Sequence, residues 1–67
     1  MRQLSPGKVR LFKIVNRKGY ACICADNLTE GKTPLQAYER MAKCCKRAGV
    51  ALKEIDGAAA LRLVSNS

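Results

Sequence analysis

Histidine is missing from this chain of 67 residues, and aromatic side chains are scarce. The only aromatic residues are Phe12, Tyr20 and Tyr38, so a core must come from aliphatic side chains, alanine and cysteine. Without histidine, a catalytic cysteine would lack its usual base. The sequence also shows no convergent carboxylates and no other nucleophile paired with a base. We therefore expect a non-enzymatic protein that needs no cofactor.

Long apolar runs are also absent. No stretch approaches the roughly 20 residues that a membrane-spanning helix needs, and the first ten residues lack the apolar segment of a signal peptide. The expectation is a cytoplasmic protein, in which the four cysteines are reduced thiols. A disulfide framework in a secreted protein is the alternative.

Acidic residues are few. Five of them stand against 13 lysines and arginines, which gives a net charge of +8. Such an excess concerns partners and association rates, not fold, and it exceeds what solubility alone requires of a small domain. The candidate partners are nucleic-acid phosphates or an acidic protein surface, and no membrane partner is expected.

The pattern of turn residues and apolar residues predicts a small α+β fold with the order β-β-α-β-β. We expect an antiparallel sheet of three to four strands with one amphipathic helix packed on one face. Residues 1–7 are expected to be a flexible arm and residues 8–65 a single domain. The predicted elements are strands at 8–15 and 20–25, a polar loop at 26–33, a helix at 34–48, and short strands at 50–55 and 59–64 around an Asp56-Gly57 turn.

The start of the helix carries the clearest local signal. Thr33 can serve as the N-cap, Pro34 suits the first helical position, and Gln36 completes a capping box. Gly49 stands where helices commonly end in the left-handed conformation, and Gly19 can take the positive φ that closes a hairpin turn.

A helical wheel separates this helix into an apolar arc and a polar arc. Cys45 falls near the middle of the apolar arc and Cys44 at its edge, so the first is expected to be a buried hydrophobe and the second a boundary residue. The alternative is a four-thiolate zinc site with Cys22 and Cys24, but neither pair has the C-x₂₋₄-C spacing of structural zinc ligands. We expect no metal site.

The "EGKT" segment at residues 30–33 resembles the end of a phosphate-binding P-loop. That motif requires a glycine five residues before Gly31, where this chain has Asp26. Nucleotide hydrolysis is therefore not expected.

The polar arc of the helix and the first hairpin together supply a candidate surface for nucleic-acid phosphates. Its candidate residues are Arg10, Lys13, Arg17, Lys18, Arg40, Lys43, Lys46 and Arg47. The alternative is a solvated helix face, on which cations of the last turn merely complement the helix dipole. The leading hypothesis is a regulatory domain that binds nucleic acid without sequence specificity, and its rival is an adaptor or inhibitor that docks on an acidic host protein.

The predicted sheet has a second face that one helix cannot cover. On strand 8–15, Val9, Leu11 and Val15 are expected on one face, and Phe12 and Ile14 on the other. An uncovered apolar face favours association. We therefore expect contact with a partner or a homodimer through this face or through a strand edge. The alternative is a twisted sheet whose ends curl over the face, or an N-terminal arm that covers it.

Overall fold

The computed structural model describes residues 2–4, 8–16 and 18–65, and of Arg2 and Ser65 it describes the backbone alone. The described residues form six strands and two helices in a mixed α+β fold. Their bounds are β1 Arg2–Leu4, β2 Arg10–Lys13, β3 Tyr20–Cys24, β4 Asn27–Gly31, α1 Pro34–Arg47, β5 Val50–Leu52, α2 Gly57–Leu63 and β6 Val64–Ser65.

The main sheet has the strand order β4-β3-β2-β6. Strands β2, β3 and β4 run antiparallel, whereas β6 is parallel to β2, with Leu11 opposite Val64. A smaller parallel pair joins β1 to β5. The α+β class and the antiparallel hairpin are thus confirmed, while the predicted β-β-α-β-β order with its single helix is not matched.

Strand β4 replaces the predicted polar loop at 26–33. Its side chains are mostly polar and exposed, which is why no strand pattern was apparent. As an edge strand it pairs with β3 alone, and it packs on α1 through one of its faces. Thr29 lies on that face and donates a hydrogen bond from its hydroxyl to the Ala37 carbonyl oxygen at 2.9 Å.

Gly31 allows β4 to approach α1 closely. A Cβ atom at this position would lie 2.5 Å from the backbone nitrogen of Ala37, closer than real Cβ contacts allow. The connection between β4 and α1 therefore requires glycine here.

Helix α1 begins as the sequence predicts. Thr33 is the N-cap, and its side chain accepts a hydrogen bond from the Gln36 nitrogen at 3.0 Å. The Gln36 side chain accepts from the Lys32 nitrogen at 2.6 Å, one residue before the partner that a capping box would use. Beyond the helix, Gly49 has a φ of +83°, which confirms the predicted left-handed stop.

The segment after β5 corrects a second prediction. Asp56 does not open a hairpin turn but caps α2, and its side chain accepts from the Ala59 nitrogen at 2.8 Å. Three consecutive alanines follow Gly57, and alanine has the highest helix propensity. The predicted strand at 59–64 is therefore mainly helical, and only Val64 of its residues joins the sheet.

The N-terminal segment is paired over three residues. Leu4 lies opposite Leu52, and the Leu4 carbonyl oxygen accepts from the Lys53 nitrogen at 3.2 Å. The sequence predicted a flexible arm over 1–7, without this strand. Residues 1 and 5–7 lie outside the described residues, and the flexibility of the arm stays a prediction.

One core lies between the main sheet and the two helices. Leu11 and Cys22 of the sheet are fully buried, as are Met41 of α1 and Ala60 of α2. Tyr38 of α1 is also buried, and its hydroxyl donates to the Lys53 carbonyl oxygen. This bond ties the middle of α1 to the end of β5.

Candidate nucleic-acid interface

The cationic strip, defined as Arg40, Lys43, Lys46 and Arg47, occupies the solvent side of α1. All four residues are exposed. At 100° per residue the four positions fall within about 120° of the helix circumference, over a length of about 10 Å at 1.5 Å per residue. The residues that α1 buries lie on its opposite side. Within the described part of the chain, no carboxylate forms an ion pair with Lys43, Lys46 or Arg47.

Arg40 extends the strip toward the edge of the main sheet. Its Nη1 donates a hydrogen bond to the Glu30 carbonyl oxygen of β4 at 2.9 Å. This bond holds the guanidinium group beside the edge strand and leaves its other N–H groups able to donate elsewhere.

A cleft at this edge brings together cations from three segments of the chain. The cationic cleft is defined by Lys18 of the β2–β3 turn, Lys32 of the β4–α1 connection and Arg40 of α1. It encloses about 390 Å³, within the range of small-ligand sites. The remaining lining residues are Ile14, Gly19, Glu30, Gly31 and Gln36.

The hairpin cations that the sequence proposed for this surface do not all lie together. Lys18 lines the cationic cleft. Arg10 neighbours buried Leu11 along β2, so it points to the sheet face opposite the helices. Lys13 is exposed at the end of β2, opposite Tyr20. Arg17 lies outside the described residues. The structure thus joins Lys18 to the helix strip and separates Arg10 from it.

Lys32 is a member of the cleft that the list of candidate residues omitted. It stands one residue before the N-cap, in a segment predicted to be a loop. Its position next to a helix start was visible in the sequence. Its proximity to Lys18 depends on β4 pairing with β3, with Gly31 opposite Tyr20.

The open sheet face, defined as Phe12, Ile23 and Leu28, lies away from both helices. Phe12 and Ile23 are partly buried, and Leu28 is 60% exposed. Ile14, which was predicted on the same face as Phe12, lies beyond the end of β2 and lines the cationic cleft. Val9 and Leu11 are both buried in the core, so they share a face as predicted, whereas Val15, predicted on that same face, lies in the turn and is 78% exposed. Tyr20 packs against the core, so Ala21 and Ile23 are the β3 residues on the open side.

The cysteines are mainly core residues. Cys22, Cys24 and Cys45 are buried and Cys44 is partly exposed, as predicted for the two helix cysteines. Burial raises the pKa of Cys22 to about 12, with a smaller contribution from the neighbouring Cys24 and Cys45. Burial also raises the pKa of Cys45 to about 11, helped by a hydrogen bond with Cys24. Both thiols are therefore protonated near neutral pH and are poor nucleophiles or metal ligands in that state.

The described residues contain neither a cluster of metal ligands nor a helix that could span a membrane. No group of three or more cysteine, aspartate or glutamate side chains there is arranged to hold a metal ion. Neither α1 nor α2 has the length and hydropathy needed to cross a membrane.

Comparison with protein-family models, with curated proteins and with solved structures found no match for this chain.

Proposed function

We propose that this protein is a non-enzymatic regulatory domain that binds nucleic acid through backbone phosphates. The observation that carries the proposal is the continuity of the cationic strip and the cationic cleft, which share Arg40. Together they present six exposed cations. Lysine and arginine side chains in such an array are the usual ligands of phosphate oxygens.

Binding through phosphates has a defined electrostatic signature. Each phosphate that a cation neutralises releases condensed counterions, so affinity falls with salt. If all six cations engage, the slope of log K against log salt is at most about −5 on duplex DNA and about −4 on a single strand. Fewer engaged cations would give a proportionally shallower slope.

Recognition of individual bases is not part of the proposal. Tyr38 is buried in the core and Tyr20 packs against it, so neither presents a free ring beside the cationic strip. Phe12 belongs to the open sheet face. Binding on the helix side would therefore be directed at the backbone and tolerant of sequence.

The test compares two double variants that remove the same charge from different places. Lys43→Gln with Arg47→Gln depletes the strip, and Arg10→Gln with Arg62→Gln removes two exposed cations from β2 and α2. Fluorescence anisotropy with a labelled oligonucleotide at fixed low salt reports affinity. We expect the strip variant to bind at least tenfold more weakly and the control within about threefold of wild type. Equal losses in both variants would show that net charge alone governs binding, and no binding by wild type would refute the function.

A second candidate function rests on the open sheet face. Partly exposed Phe12 and Ile23 beside exposed Leu28 make an apolar surface of the kind that protein partners cover. An adaptor or inhibitor could dock an acidic host protein there, and homodimerisation through the same face also stays a prediction. A Leu28→Asp variant would then lose a partner that survives nuclease treatment, while its oligonucleotide affinity would be unchanged.

A further inference from the structure

We infer that the cationic cleft is a subsite for a phosphomonoester, the chemical group at a phosphorylated end of a nucleic-acid strand. The identification of a nucleic-acid strand as the source of that phosphate rests on the proposed function. The assignment of the cleft to a phosphomonoester does not.

The first support is convergence. Lys18, Lys32 and Arg40 come from a turn, a loop and a helix, and the fold brings all three to the walls of one concavity. The strip on α1 is a convex helix surface, whereas the cleft has walls on more than one side. A tetrahedral group with several oxygens can contact donors from different directions in the cleft but not on the convex strip.

The second support is charge. Among the described residues that line the cleft, three are cations and one, Glu30, is a carboxylate, so their side-chain charge is three minus one, or +2. A phosphomonoester carries about −1.5 to −2 at pH 7, whereas an internal phosphodiester carries a single negative charge. The terminal group therefore matches the cleft more closely than a phosphate within the strand.

The third support is the fixed position of Arg40. Its hydrogen bond to the Glu30 carbonyl oxygen uses one guanidinium N–H and restrains the side chain where the strip meets the cleft. A guanidinium held in place loses less freedom when it binds a phosphate. A strand anchored by its end at Arg40 could then run along α1 past Lys43 and Arg47.

The experiment compares one short single-stranded sequence that carries a phosphate at its 5′ end, at its 3′ end or at neither. We expect at least one phosphorylated form to bind at least about fivefold more tightly, because one added unit charge about 4 Å from a cation in water already gives about that factor. Lys18→Gln with Lys32→Gln should abolish the preference. Lys43→Gln with Arg47→Gln should weaken the binding of all three oligonucleotides but keep the preference for the phosphorylated end. These lysines are exposed, so the variants should fold.

Equal affinity for all three oligonucleotides, or a preference that survives loss of Lys18 and Lys32, would overturn the inference. Adenosine monophosphate, with adenosine as its control, separates this outcome from failure of the proposed function. If the monophosphate alone shifts the amide signals of Gly31 and Lys32 while no oligonucleotide binds, the cleft assignment stands and the nucleic-acid function fails. If the oligonucleotides bind without preference and the monophosphate leaves those signals unmoved, the nucleic-acid function stands and the cleft assignment fails.

Discussion

The two sides of α1 differ in almost every physical property. The inner side places Ala37, Tyr38, Met41 and Cys45 in the core, where each is at most 4% exposed. The outer side carries the cationic strip, whose residues are all exposed. The inner side therefore contributes to the free energy of unfolding, and the outer side is available to contact an anionic partner with little cost to the fold. Substitutions on the two sides should separate stability from binding.

The largest expected difference lies between Met41→Ala and Arg47→Ala. Met41 is fully buried, so its truncation leaves a cavity and should lower the free energy of unfolding by about 3 kcal/mol. Arg47 is exposed, and its truncation should change that free energy by less than about 0.5 kcal/mol. Urea denaturation followed by circular dichroism measures both. Similar losses in the two variants would contradict the division between the sides.

The next prediction is that alkaline pH lowers the free energy of unfolding through the thiols that lie between the sheet and α1. The folded-state pKa values of Cys22 and Cys45 are raised from 9.0 to about 12 and about 11, so the unfolded chain releases these protons first. Their stabilising effect is complete below pH 9 and is lost progressively as pH rises from about 9 toward 12. The free energy of unfolding should fall over that interval in buffers of matched salt. A Cys22→Ala variant should show a shallower fall, and an unchanged fall would refute the assignment to this thiol.

A smaller effect is expected from the hydrogen bond that joins α1 to β5. Tyr38→Phe removes the hydroxyl that donates to the Lys53 carbonyl oxygen, which should cost about 1 kcal/mol. Tyr20→Phe is the matched control, because the Tyr20 hydroxyl makes no hydrogen bond within the described residues. Thermal unfolding of both variants measures the difference. A cost for Tyr20→Phe equal to that of Tyr38→Phe would show that the bond to Lys53 contributes nothing specific.

Local signals made α1 predictable from the sequence, together with the division of its surface. Thr33, Pro34 and Gly49 act within a few residues of each helix end, and the wheel needs no knowledge of distant contacts. Local signals gave the wrong prediction at Asp56, where a hairpin turn was expected and a helix begins. An Asp-Gly pair suits both a hairpin turn and a helix N-cap, and only the alanines that follow and the burial of Ala60 against α1 favour the helix.

Strand β4 and the cationic cleft were not predictable for a different reason. The strand lacks an alternating apolar pattern because Leu28 is its only large apolar residue, and its pairing with β3 uses backbone groups that the sequence does not distinguish. Lys18 and Lys32 are 14 positions apart in the sequence and meet Arg40 only after β3, β4 and α1 have packed. The strip is a property of one helix, whereas the cleft is a property of the whole fold.

Mapping the contact surface by nuclear magnetic resonance tests the central claim most directly. A single-stranded oligonucleotide would be titrated into ¹⁵N-labelled protein at low salt, and the backbone amide shifts followed. The account predicts that the largest shifts fall in residues 40–47, at Lys18 and at Lys32, and that they vanish when salt is raised. Shifts centred on Phe12, Ile23 and Leu28, or no shifts at saturating oligonucleotide, would contradict it.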